Sequence, residues 1–99
     1  MAIKPLTGKQ VRFLRGLGHH LNPIVMIGRG ELSEAVLRTT DEALNTHELI
    51  KIRVQEGCEL DRRDAAAELA KKTGSQVAQI LGKTILLYRE AEEKKIILP

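Results

Sequence analysis

Aromatic side chains are nearly absent from this chain, which has Phe13, Tyr88 and no tryptophan among its 99 residues. A sheet that stacks RNA bases on rings needs more of them, so the usual aromatic platform is excluded. Cysteine is as scarce. A lone Cys58 allows no internal disulfide and, without neighbouring ligands, no cysteine-based zinc site. No apolar run approaches the roughly 20 residues that span a bilayer, so no membrane partner is expected. The opening Met1-Ala2-Ile3-Lys4-Pro5-Leu6-Thr7 lacks a signal-peptide core, and a cytoplasmic location is expected.

Catalytic patterns are missing too. There is no Ser-His-acid spacing and no Cys-His pair. Gly82-Lys83-Thr84 resembles the end of a phosphate-binding P-loop, but the motif's first glycine would fall on Val77. His19 and His20 are adjacent on a helix, about 100° apart, and cannot chelate together, and His47 lies on another helix. The chain is therefore read as a non-enzyme without cofactor, metal or small-molecule substrate.

Acidic residues are absent from one whole region. Met1 to Gly30 carries Lys4, Lys9, Arg12, Arg15 and Arg29 and no carboxylate, while the rest is slightly acidic. A basic third beside a near-neutral remainder is the footprint of a surface that meets a polyanion. The chain as a whole is 42% hydrophobic and 29% charged, the balance of a folded globular protein, and residues 1–99 are read as one domain.

The stretch from Pro23 to Leu37 organises the rest. Ile24 to Ile27 is a short apolar run fit for a buried strand. Gly28-Arg29-Gly30 follows, where the backbone can take positive φ and approach a ligand. Ser33 then offers an N-cap oxygen to a helix through Ala35-Val36-Leu37. Strand, glycine loop and helix N-terminus in that order form a backbone cradle for phosphate.

Before it, Thr7-Gly8-Lys9-Gln10 fits a capping box opening a helix to about Leu21. At about 100° per residue with Lys9 at zero, Phe13, Leu17, Leu21, Leu14 and Val11 fall between about 40° and 200°. Arg15, His19, Arg12, Gly16, Lys9 and His20 fall between about 240° and 20°. One face should be core and the other basic, and Gly16 on the basic face would let another backbone come close. After it, a helix is expected from Ser33 to about Thr46, then a strand over Leu49–Val54 with Lys51 and Arg53 turned from the core. Asp61 and Asp64 cap a third helix that Gly74 ends. Gln76–Leu81 and Thr84–Arg89 form a hairpin through Gly82-Lys83 with a type II′ turn. The expected fold is α/β (α+β two-layer), a small four-stranded mixed sheet in the order αβαβαββ, with the crossover helices on one face.

Several blocks together resemble a known family. These are Thr7-Gly8-Lys9-Gln10 through Leu17, Gly18-His19-His20-Leu21-Asn22-Pro23, Met26-Ile27-Gly28, His47-Glu48-Leu49-Ile50-Lys51 and Ile80 to Arg89. They resemble the YhbY family, the bacterial single-domain form of the CRM (chloroplast RNA splicing and ribosome maturation) domain. The resemblance implies a fold like the C-terminal domain of translation initiation factor three with an added N-terminal helix. It also implies RNA binding and association with precursors of the large ribosomal subunit. The family's loop is Gly-x-x-Gly, whose first glycine matches Gly28, whereas its fourth position is Glu31 here and the second glycine is Gly30. A carboxylate at that point repels phosphate, while Arg29 and the open helix N-terminus attract it.

The resulting expectation is an RNA-binding protein acting in ribosome assembly by backbone and shape recognition. Its partners would be large-subunit ribosomal RNA precursor and pre-ribosomal particles. Gly28, Arg29 and Gly30 are carried over as loop residues. Lys9, Arg12, Arg15, His19, Lys51 and Arg53 follow from charge and placement. The alternative is a protein-interaction adaptor in ribosome assembly with no direct RNA site.

Overall fold

The computed structural model describes residues 4–28, 32–57 and 61–99. Its elements follow the expected order: α1 (Gly8–Gly18), β1 (Pro23–Ile27), α2 (Glu34–His47), β2 (Leu49–Val54), α3 (Arg62–Thr73), β3 (Gln76–Leu81) and β4 (Thr84–Tyr88). The four strands form one mixed sheet ordered β1-β2-β4-β3. β1 and β2 are parallel, as a helical crossover through α2 requires, and β4 pairs antiparallel with both β2 and β3.

Local chemistry accounts for the element ends. Thr7 and Gln10 complete a reciprocal capping box at α1. The Ser33 hydroxyl accepts from the Val36 N–H at 3.2 Å and opens α2. Gly74 closes α3 in the left-handed conformation at φ 66. Gly82 takes φ 58 in the β3–β4 hairpin, as a type II′ turn needs at its first position. Asp61 occupies the N-cap position of α3, but its side chain makes no capping hydrogen bond.

Period-two alternation sends the strand side chains to two faces. Val25, Ile27, Ile50, Ile52, Val54, Ile85 and Leu87 point to one, where Leu44 of α2 and Ala65, Ala66 and Leu69 of α3 close over them. Ala65 and Ala66 are small enough to let α3 ride close to the strands. Leu49, Ala78, Leu86 and Tyr88 point to the other, where Leu14 of α1 meets them with Leu6, Ile96 and Leu98. The crossover helices thus share one face, and α1 adds a partial layer on the other.

Three expectations about this second face are corrected. α1 ends at Gly18 rather than Leu21, because His19 caps it and Leu21 folds back with its N–H on the Gly18 carbonyl at 3.0 Å. This turn delivers Pro23 to β1. The buried arc of α1 is narrower than the apolar arc: Leu14 and Gly18 are buried, but Phe13 and Leu17 stay about 40% exposed (41% and 40%). The bare glycine that another element approaches is Gly18, where an added Cβ would lie 2.7 Å from Leu86 Cδ2, whereas Gly16 has nothing within 4 Å. β1 is likewise only half enclosed. It lies at the sheet edge, so Ile24 and Met26, alternating with buried Val25 and Ile27, face water.

Candidate nucleic-acid interface

Charge separates the two sides of the molecule. Lys9, Arg12, Arg15 and His19 lie along the solvent side of α1, turned from its contact with Leu86. The Arg15 side chain also donates from Nε to the Ala78 carbonyl of edge strand β3 at 3.4 Å. Lys51 and Arg53 alternate with Leu49 on β2, and Leu49 packs with Leu14. The two β2 cations therefore project from the same side of the sheet that carries α1. Six of the expected site residues are brought to one side in this way.

Other cations are already occupied. Arg89 donates to the Asp41 carboxylate at 2.5 Å, to the Thr73 carbonyl at 2.7 Å and to Asn45 Oδ1 at 2.8 Å. It ties α2 and α3 to the end of β4. β4 stops at Tyr88, opposite Leu49 where β2 begins, rather than continuing through Arg89 as expected, although the Arg89 N–H still reaches the Glu48 carbonyl at 2.9 Å. Arg62 donates to the Gly82 carbonyl, and Lys83 is held by Glu56 at 2.5 Å, which lowers the Glu56 carboxyl below its ordinary range. Among the described residues, no carboxylate lies within ion-pair distance of Lys9, Arg12, Arg15, Lys51 or Arg53. Unpaired cations on one side are available to an external anion.

Gly28 follows β1, and the N–H of Gln55 reaches the neighbouring Ile27 carbonyl at 2.9 Å. This places Gly28 at the same end of the sheet as Arg53. Its φ is not positive, and an added Cβ would meet Gln55 Oε1 at an ordinary 3.6 Å. The left-handed freedom expected of this loop is thus not used at Gly28. Arg29, Gly30 and Glu31 lie outside the described residues, as does Cys58.

One buried group escaped the sequence. Glu48, between α2 and β2, is fully enclosed and sits at φ 64, a conformation that favours glycine. Its carboxylate accepts backbone N–H bonds from Ala91 at 2.9 Å, from Ile96 at 2.8 Å and from Lys95. Burial pushes the carboxyl up. The three donors, with the charge of Lys95, outweigh that and leave it below the ordinary value. The C-terminal segment is thereby pinned beside α1, where Gln10 Nε2 donates to the Pro99 carbonyl at 3.2 Å. Burial and the nearby Glu48 and Glu90 charges push the Tyr88 hydroxyl up, so this ring is a packed residue. No spacing rule identifies a carboxylate whose donors lie more than 40 residues away.

Among the described residues, no group of three or more His, Cys, Asp or Glu could hold a metal ion. None of the described helices is long and apolar enough to cross a membrane.

Comparison with known proteins gives consistent matches. A family model described as the CRS1 / YhbY (CRM) domain matches residues 6–89. The probable RNA-binding protein YqeI of Bacillus subtilis is 47% identical over 92 residues, covering 93% of this chain and 96% of that protein. A Haemophilus influenzae protein named RNA-binding protein is 43% identical over 94 residues, with 95% of each chain covered. The solution structure of a hypothetical protein from Staphylococcus aureus superposes with a TM-score of 0.74 at 39% identity, over 96% of this chain and 100% of that one.

Proposed function

The chain belongs to the CRS1 / YhbY (CRM) domain family, and on that premise we propose that it is a non-catalytic RNA-binding protein that needs no cofactor. The observation that carries this reading is the set of cations, Lys9, Arg12, Arg15, Lys51 and Arg53, that have no ion-pair partner among the described residues and lie on the side of the sheet that α1 crosses. The names of the relatives support RNA as the polyanion. Phosphates would lie against the helix and strand cations. Gly28 would approach the backbone from the end of β1, with Arg29 and Gly30 proposed as further contacts, and the first-turn N–H groups that a helix leaves free favour an anion.

The finer assignment rests on the family resemblance. On this reading the RNA would be a precursor of large-subunit ribosomal RNA and the protein would act on pre-ribosomal particles; a single module over residues 1–99 working in the cytoplasm is part of the same proposal. The test is binding to large-subunit ribosomal RNA fragments across a salt series. Arg12→Glu with Arg15→Glu should weaken binding at least tenfold, and each lost phosphate contact should flatten the salt slope by about 0.7–0.9. Binding that ignores this pair of changes would remove the helix from the site.

The exposed Phe13 and Leu17 beside the basic arc favour a second reading, an adaptor that docks a ribosome-assembly protein. Co-sedimentation with particles that survives nuclease and high salt would support the adaptor in place of the RNA site.

A further inference from the structure

The strand register sets one row of side chains across the whole sheet on the side that α1 only partly covers. Met26 of β1 stands opposite Arg53 of β2, Arg53 opposite Thr84 of β4, and Thr84 opposite Leu81 of β3. All four project to the α1 side, because each alternates with a residue packed under α2 and α3. Gly18 rests on Leu86, one alternation further along β4, so the helix crosses beyond this row and leaves it open. Met26 is 57% exposed and Leu81 63%. Lys51 follows Arg53 on the same face of β2. At about 4.8 Å between strands, the row spans about 14 Å.

We infer that this open row receives unpaired bases of single-stranded RNA, with Arg53 and Lys51 holding the phosphates and Met26 and Leu81 packing against the base faces. The inference rests on the RNA-binding reading and specifies the class of RNA. Charge chooses the occupant: two cations without ion-pair partners among the described residues stand beside large exposed apolar side chains, and no carboxylate belongs to the row. Glu56, near Arg53, is neutralised by Lys83. A partner that suits such a surface offers apolar faces and negative charge together. Unpaired nucleotides do so, whereas a duplex buries its base faces in the stack and presents phosphates and 2′-hydroxyls. Thioether and aliphatic side chains can cover a base face without rings, which fits a chain so poor in aromatics.

The experiment measures fluorescence anisotropy with a mixed-sequence oligoribonucleotide, alone and annealed to its complement. The proteins are the native chain, Met26→Ser with Leu81→Ser, and Arg53→Ala. The native chain should prefer the single strand. The double variant should bind that strand roughly tenfold more weakly with an unchanged salt slope, since apolar burial releases no counterions. Its duplex binding should not move. Arg53→Ala should instead flatten the single-strand slope by about 0.7. Melting curves of the double variant should match the native chain, because both positions face water. If the native chain binds both forms equally, or the double variant binds the single strand unchanged, the row is not a base-binding surface and the RNA reading stands on α1 alone. If the native chain binds neither form, the RNA reading itself fails. A double variant that turns a native dimer into a monomer would assign the row to self-association and overturn the inference.

Discussion

On the face covered by α2 and α3, Ile52, Ile85 and Leu87 of the central strands have no exposed surface, whereas on the opposite face of the sheet Met26 and Leu81, on edge strands β1 and β3, keep more than half of theirs. The two faces share one backbone, so the difference lies in what covers them. Two helices seal the first. A single helix, held at Leu14 and Gly18, covers only part of the second and leaves both cations and apolar groups in water. The sealed side holds the larger buried cluster, and the other carries the cations proposed to meet RNA. Substitutions should therefore sort by face, with thermodynamic effects on one and binding effects on the other.

The largest expected effect tests that division directly. Leu69→Ala, which empties a fully buried site between α3 and the sheet, should cost about 2–5 kcal/mol in urea unfolding. Met26→Ser on the open face should change stability by no more than about 0.5 kcal/mol. Comparable losses from the two would mean that the faces are not specialised in this way.

A smaller effect concerns how the half-covered face stays assembled. Glu48 holds the C-terminal segment against the α1 side through three backbone N–H groups, and that segment supplies Ile96 and Leu98 to the cluster around Leu14. Glu48→Gln retains the shape but turns an amide donor toward these donors, and should cost about 1–3 kcal/mol. The native carboxyl is held below its ordinary 4.5. A depressed carboxyl contributes stability that is present above its unfolded pKa and lost as pH falls through the folded one. Native stability should therefore decline in acid below about 4.5, and the Glu48→Gln protein should show a shallower decline. Parallel acid profiles would mean that other carboxylates dominate.

The same contrast explains what the sequence could reveal. The sealed face was legible because its pattern is local: Ile50, Ile52 and Val54 alternate on β2, Ser33 caps α2, and Gly74 and Gly82 mark the turns. Lys51 and Arg53 emerged from that alternation as outward cations. The α1 side was less legible because its details are set by long-range contacts. A helical wheel gives the angle of Leu17 but not how closely the helix approaches Leu86. An apolar run such as Ile24 to Ile27 reads as a buried strand and does not reveal that β1 lies at an edge with Ile24 and Met26 in water. Nothing in the sequence marks the roles of Glu48 and Arg89, since their partners are distant in sequence.

The smallest effect sharpens the comparison within α1 itself, where Gly16 and Gly18 meet opposite surroundings. Gly16 faces solvent with nothing within 4 Å of an added Cβ, so Gly16→Ala should stabilise the helix by about 0.5–1 kcal/mol through reduced unfolded-state freedom. Gly18 closes the helix, where the propensity gain is small, and an added Cβ would sit 2.7 and 2.8 Å from the two terminal carbons of Leu86. Leu86 is only 2% exposed and has little room to turn away. The helix must then lift from the sheet, and Gly18→Ala should destabilise by about 1 kcal/mol. Because lifting α1 also shifts the basic arc relative to Lys51 and Arg53, this variant should weaken RNA binding, whereas Gly16→Ala should not. Opposite signs for one chemical change, two residues apart, would establish that close helix-to-sheet contact sets the geometry of the open face. A stabilising Gly18→Ala would mean that Leu86 repacks freely and that the helix position is not fixed by this contact.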